Sequence, residues 1–198
     1  MAFANQAAVS LDNAQLFEES VQRAMQLNER SQRLALLNRV SSELNTTLDT
    51  DRIAEIAARE MSNAIGNARV AAVLFDLVDQ TGRLVAEQPA NFLQPALPAF
   101  SLDGDPLTQR LRETALPVTL NDVAQSDLLA APMRQALIGA GARTLLVVPV
   151  VTGDNVSGCV LINRPDRDQY TPGEIELAQT IANQTAIALD KARLFATV

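Results

Sequence analysis

Cys159 is the only thiol in the chain, and no histidine stands anywhere in the 198 residues. A thiol acts as a nucleophile only with a base beside it, and it forms and resolves a disulfide only with a second thiol. Cys159 therefore has neither of its usual routes to chemistry. It alternates with Val160 in an apolar run, where a free cysteine serves as a small buried hydrophobe; a redox role would need exposure and a lowered pKa. The missing histidine also removes the commonest metal ligand, the usual haem axial ligand and the usual general base near neutral pH. Ser-His and Cys-His pairs are excluded within this chain. No nucleophile has a plausible base, so the expectation is a protein that is not an enzyme.

Binding chemistry remains. Phe75, Phe92, Phe100 and Met133 could line an apolar pocket or fill a core, and core packing is the expectation for such residues. Asp122, Asp127, Arg134 and Arg143 could fix a polar ligand beside them or face solvent.

Composition narrows the class. The chain is 47% apolar and 20% charged, as globular domains are, with room for one domain and a helical extension. A net charge of -7 and scattered arginines argue against a nucleic-acid surface. The longest apolar runs, such as residues 145–151, fall far short of the ~20 residues of a membrane helix. A single cysteine and the lack of a signal-like leader point to the cytoplasm, with no membrane contact from this segment. The Asn-X-Ser/Thr triplets at Asn45, Asn155 and Asn183 then carry no meaning.

The elements that must position these residues begin with a repeat. Residues 3–17, FANQAAVSLDNAQLF, return as IANQTAIALDKARLF at residues 181–195, identical at nine of fifteen positions. That period belongs to a domain, since solenoid units run to roughly 20 to 50 residues. The chain is thus expected to hold one full unit, residues 36–198, behind a linker or signalling helix, residues 1–35, that ends a preceding unit.

Residues 1–65 contain neither proline nor glycine and read as helix. Leu27, Leu34, Leu37, Leu44 and Leu48 fall on alternating a and d positions of a heptad, with Arg30 and Ser41 in the unfilled places. A partner helix could bury this stripe, or the chain's own sheet could. Residues 46–51 break the pattern, and a second helix follows over 52–65, ended by Gly66. A strand over 69–76, a turn at Asp79-Gln80-Thr81-Gly82 and a strand over 83–88 form a hairpin. Pro89, Pro95 and Pro98 then demand a loop with a short strand near Phe100.

Asp105 and Pro106 open a helix over 106–114, a short strand covers 117–120, and Asn121 or Asp122 caps a further turn. A helix over 131–138 closes at Gly139-Ala140-Gly141. Strands over 143–152 and 157–163 pair across Gly153-Asp154-Asn155, and Thr171-Pro172-Gly173-Glu174 is a capping box opening the last helix. This order predicts an α+β fold: an antiparallel sheet with its long helices on one face.

The hairpin LLVVPVVTGDNVSGCVLIN (145–163), the YTPGE of residues 170–174 and the closing helix 178–195 resemble the GAF domain. The likeness spans about residues 36–195, and the leading helix resembles the end of a preceding GAF domain. It implies a GAF-like (PAS/profilin-like) central sheet with terminal helices on one face. It also implies a homodimer through those helices, and a signal passed to an output domain, such as a histidine kinase of a two-component system. The family's pocket would lie between the sheet and residues 92–138, which makes Phe75, Phe92, Phe100, Asp122, Met133, Arg143 and Cys159 its candidate lining.

The resemblance names no cofactor. Bilin and haem binding in the family use histidine, which this chain lacks. Of the Asn-Lys-Phe-Asp-Glu signature of cyclic-nucleotide members, Asn163, Arg164, Tyr170 and Glu174 occupy the first four places, while Ile175 replaces the last acid. Members that reduce free methionine sulfoxide use several cysteines, against one here. The alternative to a sensor is a spacer that binds nothing.

Overall fold

The computed structural model describes residues 2–93, 99–165 and 169–196, with the side chains of residue 13 and of residue 15 onward. Pro95 and Pro98 lie outside the described residues. Contacts divide the chain into two units, Met1–Arg39 and Val40–Val198.

The first unit is helix. It belongs to α1, Ala2–Leu44, whose last five residues fall in the second unit. Phe17, Met25, Leu27 and Leu34 are all more than half exposed. The expected seam divides here: Leu27 and Leu34 are open to solvent, whereas Leu44 is buried in the second unit. Leu48 lies outside the seam altogether, which corrects the heptad reading. The helix stops at Leu44 because Asn45 Nδ2 donates to the Ser41 carbonyl at 2.8 Å and Thr46 Oγ1 to the Glu43 carbonyl at 2.6 Å. These side chains satisfy the last carbonyls in place of further turns.

In the second unit α2, Thr50–Ala64, starts where the Asp49 carboxylate accepts from the Asp51 and Arg52 amides. Its face of Ile53, Ala57 and Met61 is fully buried. Strands β1 (Arg69–Asp76) and β2 (Thr81–Gln88) follow, then β3 (Ala99–Ser101), α3 (Pro106–Thr114), β4 (Val118–Leu120) and α4 (Ala131–Gly139). The chain continues with β5 (Leu145–Thr152), β6 (Asn155–Asn163) and α5 (Pro172–Ala196). The six strands form one antiparallel sheet in the order β3-β2-β1-β6-β5-β4. The fold is the α+β arrangement that the sequence led one to expect.

Helices α2 and α5 pack together on one face, against β1, β2 and β5. On the other face Ala71, Val73 and Phe75 of β1, Leu145 and Val147 of β5, and Cys159 and Leu161 of β6 join Leu107 and Leu111 of α3 and Met133 and Leu137 of α4. With both faces covered, residues 145–150 are buried without alternation, as central strands of a sandwiched sheet must be.

The first hairpin corrects the expected turn. The strands are joined by residues 77–80, and Thr81 and Gly82 already pair with Asp76 and Phe75. Asp76 Oδ1 accepts from the Val78 and Asp79 amides at 2.9 and 3.0 Å, and Gln80 takes the left-handed backbone at φ 50°. Gly82 serves another purpose: a Cβ there would lie 2.6 Å from Cζ of Phe100. Glycine lets the Phe100 ring rest on the strand.

Candidate functional site

The sheet face opposite α2 and α5 is where the apolar candidates and Cys159 converge. Phe75 is carried by β1, Met133 by α4 and Cys159 by β6; all three are buried in one apolar cluster, with Phe92 and Phe100 half-buried against it. The segment after β2 is held by the Leu93 amide, which donates to Glu87 Oε1 at 2.6 Å. Arg69 Nη1 donates to the Ala140 carbonyl at 2.5 Å, fixing the end of α4 beyond its last turn. Beside Phe92 and Leu93, the outer edge of α4 frames a depression of about 440 Å³ with Pro132, Gln135 and Ala136 in its wall.

Asp122 and Arg143 sit elsewhere. They line a second depression of about 470 Å³ together with Asn121, Ile138 and Gly141, and it shares no residue with the first. Asp122 Oδ1 accepts from the Ala124 and Gln125 amides, and the Val123 amide donates to the Arg143 carbonyl at 2.8 Å. Asp127 is exposed, while Arg134 reaches the Ser126 carbonyl at 3.4 Å. Asp122 and Arg143 thus line a depression at the α4 edge distinct from the one beside Phe92, with Ala142 of the apolar cluster in its wall.

Cys159 is 3% exposed, and burial pushes its thiol up to about 12, with the negative charge of Asp105 adding to the effect. At neutral pH the sulfur is a protonated thiol. Asp105 itself was read from the sequence only as the cap of α3, which it is: it accepts from the Thr108 amide at 2.8 Å and from the Thr108 hydroxyl at 2.7 Å. Its effect on Cys159 follows from the packing of α3 on β6, a tertiary contact with no local signal. No group of three or more metal-ligating side chains is present among the described residues.

A third depression, of about 370 Å³, lies between α2 and the end of β2 and was not singled out from the sequence. Arg52, Glu55, Arg59 and Glu87 line it. Its charges are engaged: Arg52 pairs with Glu55 at 2.6 Å, and Arg59 with Glu43 and Glu60.

Asn163, Arg164 and Tyr170 form a separate buried group, with the half-buried Glu174 paired to Arg164. Asn163 Nδ2 donates to the Thr144 carbonyl at 2.9 Å, and the Tyr170 hydroxyl to the Ile162 carbonyl at 2.6 Å. These bonds tie the end of β6 to neighbouring backbone.

Comparison with known proteins places this geometry. None of the curated proteins matches the chain. Among solved structures it is similar to the GAF domain from a phosphoenolpyruvate-protein phosphotransferase of Coxiella burnetii, 17% identical with a TM-score of 0.70 over 84% of this chain and 97% of that one. It is also similar to a methyl-accepting chemotaxis protein, 18% identical with a TM-score of 0.69 over 80% of this chain and 99% of that one. A phycoerythrobilin-bound GAF domain from a cyanobacterial phytochrome is 22% identical, with a TM-score of 0.65 over 83% of this chain and 97% of that one. At such identities the likeness is one of fold. The family assignment rests on sequence: the model of the GAF domain matches residues 47–190, most of the chain, and the chain belongs to the GAF domain family.

Proposed function

We propose that this GAF domain is a sensory or regulatory module of a multidomain signal-transduction protein. It dimerises through its helices and passes a small-molecule or neighbour-domain signal to an output domain, such as a histidine kinase, outside this chain. The carrying observation is the exposed apolar surface of the two terminal helices. Leu27 and Leu34 of α1 are 68% and 54% exposed, one heptad apart, and Ile187 and Leu194 of α5 are 59% and 69% exposed at the same spacing. Side chains of this size at heptad spacing are buried when a second helix covers them. Likeness to a chemotaxis protein and to a phytochrome domain supports the sensory role.

Light scattering on the isolated chain tests the reading. At tens of micromolar the chain should run as a dimer, and Leu27→Asp with Leu34→Asp should give a monomer whose domain still melts cooperatively. A monomeric parent chain at high concentration would rule the dimer out.

One observation favours a second reading, a spacer that binds nothing: the sheet face toward α3 and α4 is filled by the domain's own side chains. A saturable thermal shift with any member of a metabolite library would exclude the spacer.

A further inference from the structure

In α5 the structure shows what the repeated sequence does when it is seated. The identical residues Ala182, Ala186, Leu189 and Ala192 are all at most 4% exposed, on a helix that packs against β5. Three alanines in this stripe let the helix approach the strands closely. They face Leu146 and Val148, on the side of β5 opposite Leu145 and Val147. The identity continues to the end of the segment. Leu194 and Phe195 are 69% and 62% exposed, and their counterparts Leu16 and Phe17 are 63% and 70% exposed.

The six differences between the two segments respect the same division. Buried Ile181, Thr185 and Ala188 correspond in sequence to Phe3, Ala7 and Ser10, so no charge or long polar group enters the stripe. Exposed Ile187, Lys191 and Arg193 correspond to Val9, Asn13 and Gln15. A segment needed only as a linking helix, or as a coiled-coil seam, has no reason to keep this stripe and the terminal Leu-Phe pair together.

We infer that residues 3–17 are the closing helix of a second domain of this same fold. Their docking partner is the helix-facing side of that domain's antiparallel sheet, an apolar surface of the Leu146 and Val148 kind, supplied by polypeptide outside this chain. The inference stands on the repeat and on α5, and needs neither a dimer nor a ligand.

Hydrogen exchange tests it directly. In this chain alone, amides of residues 181–195 should exchange at least ~100-fold more slowly than those of residues 3–17. In the parent polypeptide, with the chain ahead of Phe3 present, residues 3–17 should slow to the level of residues 181–195. Fast exchange of residues 3–17 there overturns the inference.

A transplant gives a second test within this chain. Ile181→Phe, Thr185→Ala, Ile187→Val, Ala188→Ser, Lys191→Asn and Arg193→Gln together write the sequence of residues 3–17 into α5. The variant should unfold cooperatively with a Tm lowered by no more than about 10 °C. A five-substitution form that keeps Ile181 guards against overpacking by the phenylalanine. Loss of cooperative unfolding in both forms would show that the leading sequence cannot close such a sheet.

Discussion

Arg164 and Glu174 meet inside the domain, Nη1 donating to Oε1 across 2.8 Å with side chains only 9% and 17% exposed. The pair joins the residue after β6 to the first turn of α5. Glu174 Oε2 also accepts from the Thr171 amide at 2.8 Å, and the Glu174 amide donates back to Thr171 Oγ1 at 3.2 Å, completing the capping box. Gly66, at the end of α2, lies against the same guanidinium: a Cβ there would come within 3.3 Å of Nη2. One ion pair thus gathers the ends of three elements.

Removing Glu174 takes away the carboxylate that faces the buried Arg164 guanidinium. Glu174→Ala should cost about 3–5 kcal/mol in urea unfolding, and Thr171→Ala, which loses only the cap, about 1 kcal/mol. Arg164→Met combined with Glu174→Gln removes both charges and should recover to within about 2 kcal/mol of the parent. A double variant no better than Glu174→Ala would mean that the bonds, rather than charge compensation, decide stability here.

Two glycines in the sheet separate a negotiable close approach from a fixed one. Gly82→Ala drives its Cβ into the ring of Phe100, so Phe100→Leu in the same chain should restore most of the lost stability. Gly158→Ala meets the Val73 carbonyl oxygen, which is backbone. No single side-chain change should rescue it. A double-mutant cycle for the first pair and a soluble-expression screen for Gly158→Ala check both.

Where the fold was legible, local chemistry marked both ends of an element. Arg69 and Asp76 bracket an apolar run, and Asp105-Pro106 announces α3, so both elements begin and end at the expected residues. The first turn was misplaced because Gly82 looks like a turn residue in sequence, while its actual neighbour, Phe100, is brought in by β3. The heptad ran on to Leu48 because periodicity is blind to Asn45 and Thr46 competing for the helix's last carbonyls. At the site, the burial of Cys159 followed from its apolar strand. That Asp122 and Arg143 line a different depression from Phe92 did not, since it depends on where α4 lies across the sheet.

Asp122 organises its own edge of that site. Asp122→Ala loses the acceptor for the Ala124 and Gln125 amides and should cost about 1 kcal/mol, whereas Asp122→Asn keeps an oxygen in place and should cost less than half of that. Paired urea titrations of the two variants decide it; equal losses would show that the carboxylate's charge matters more than its hydrogen bonds.

The last prediction concerns alkali. Cys159 and Tyr170 are both pushed up to about 12, from ordinary values of 9.0 and 10.0, burial being the main cause for each. Both are neutral when protonated, so the fold holds the protonated forms more tightly than the unfolded chain does. Their contribution is complete below the unfolded values and is lost as pH rises toward the folded ones. The Tm should therefore be flat up to pH 8.5, begin to fall near pH 9 as the unfolded thiol ionises, and fall more steeply above pH 10 as the phenol follows. Cys159→Ala should remove the first step and leave the second, moving the onset up by about one pH unit. In the native protein the thiol should resist labelling by a disulfide reagent at pH 8. An onset near pH 9 that persists in Cys159→Ala would assign it to another group.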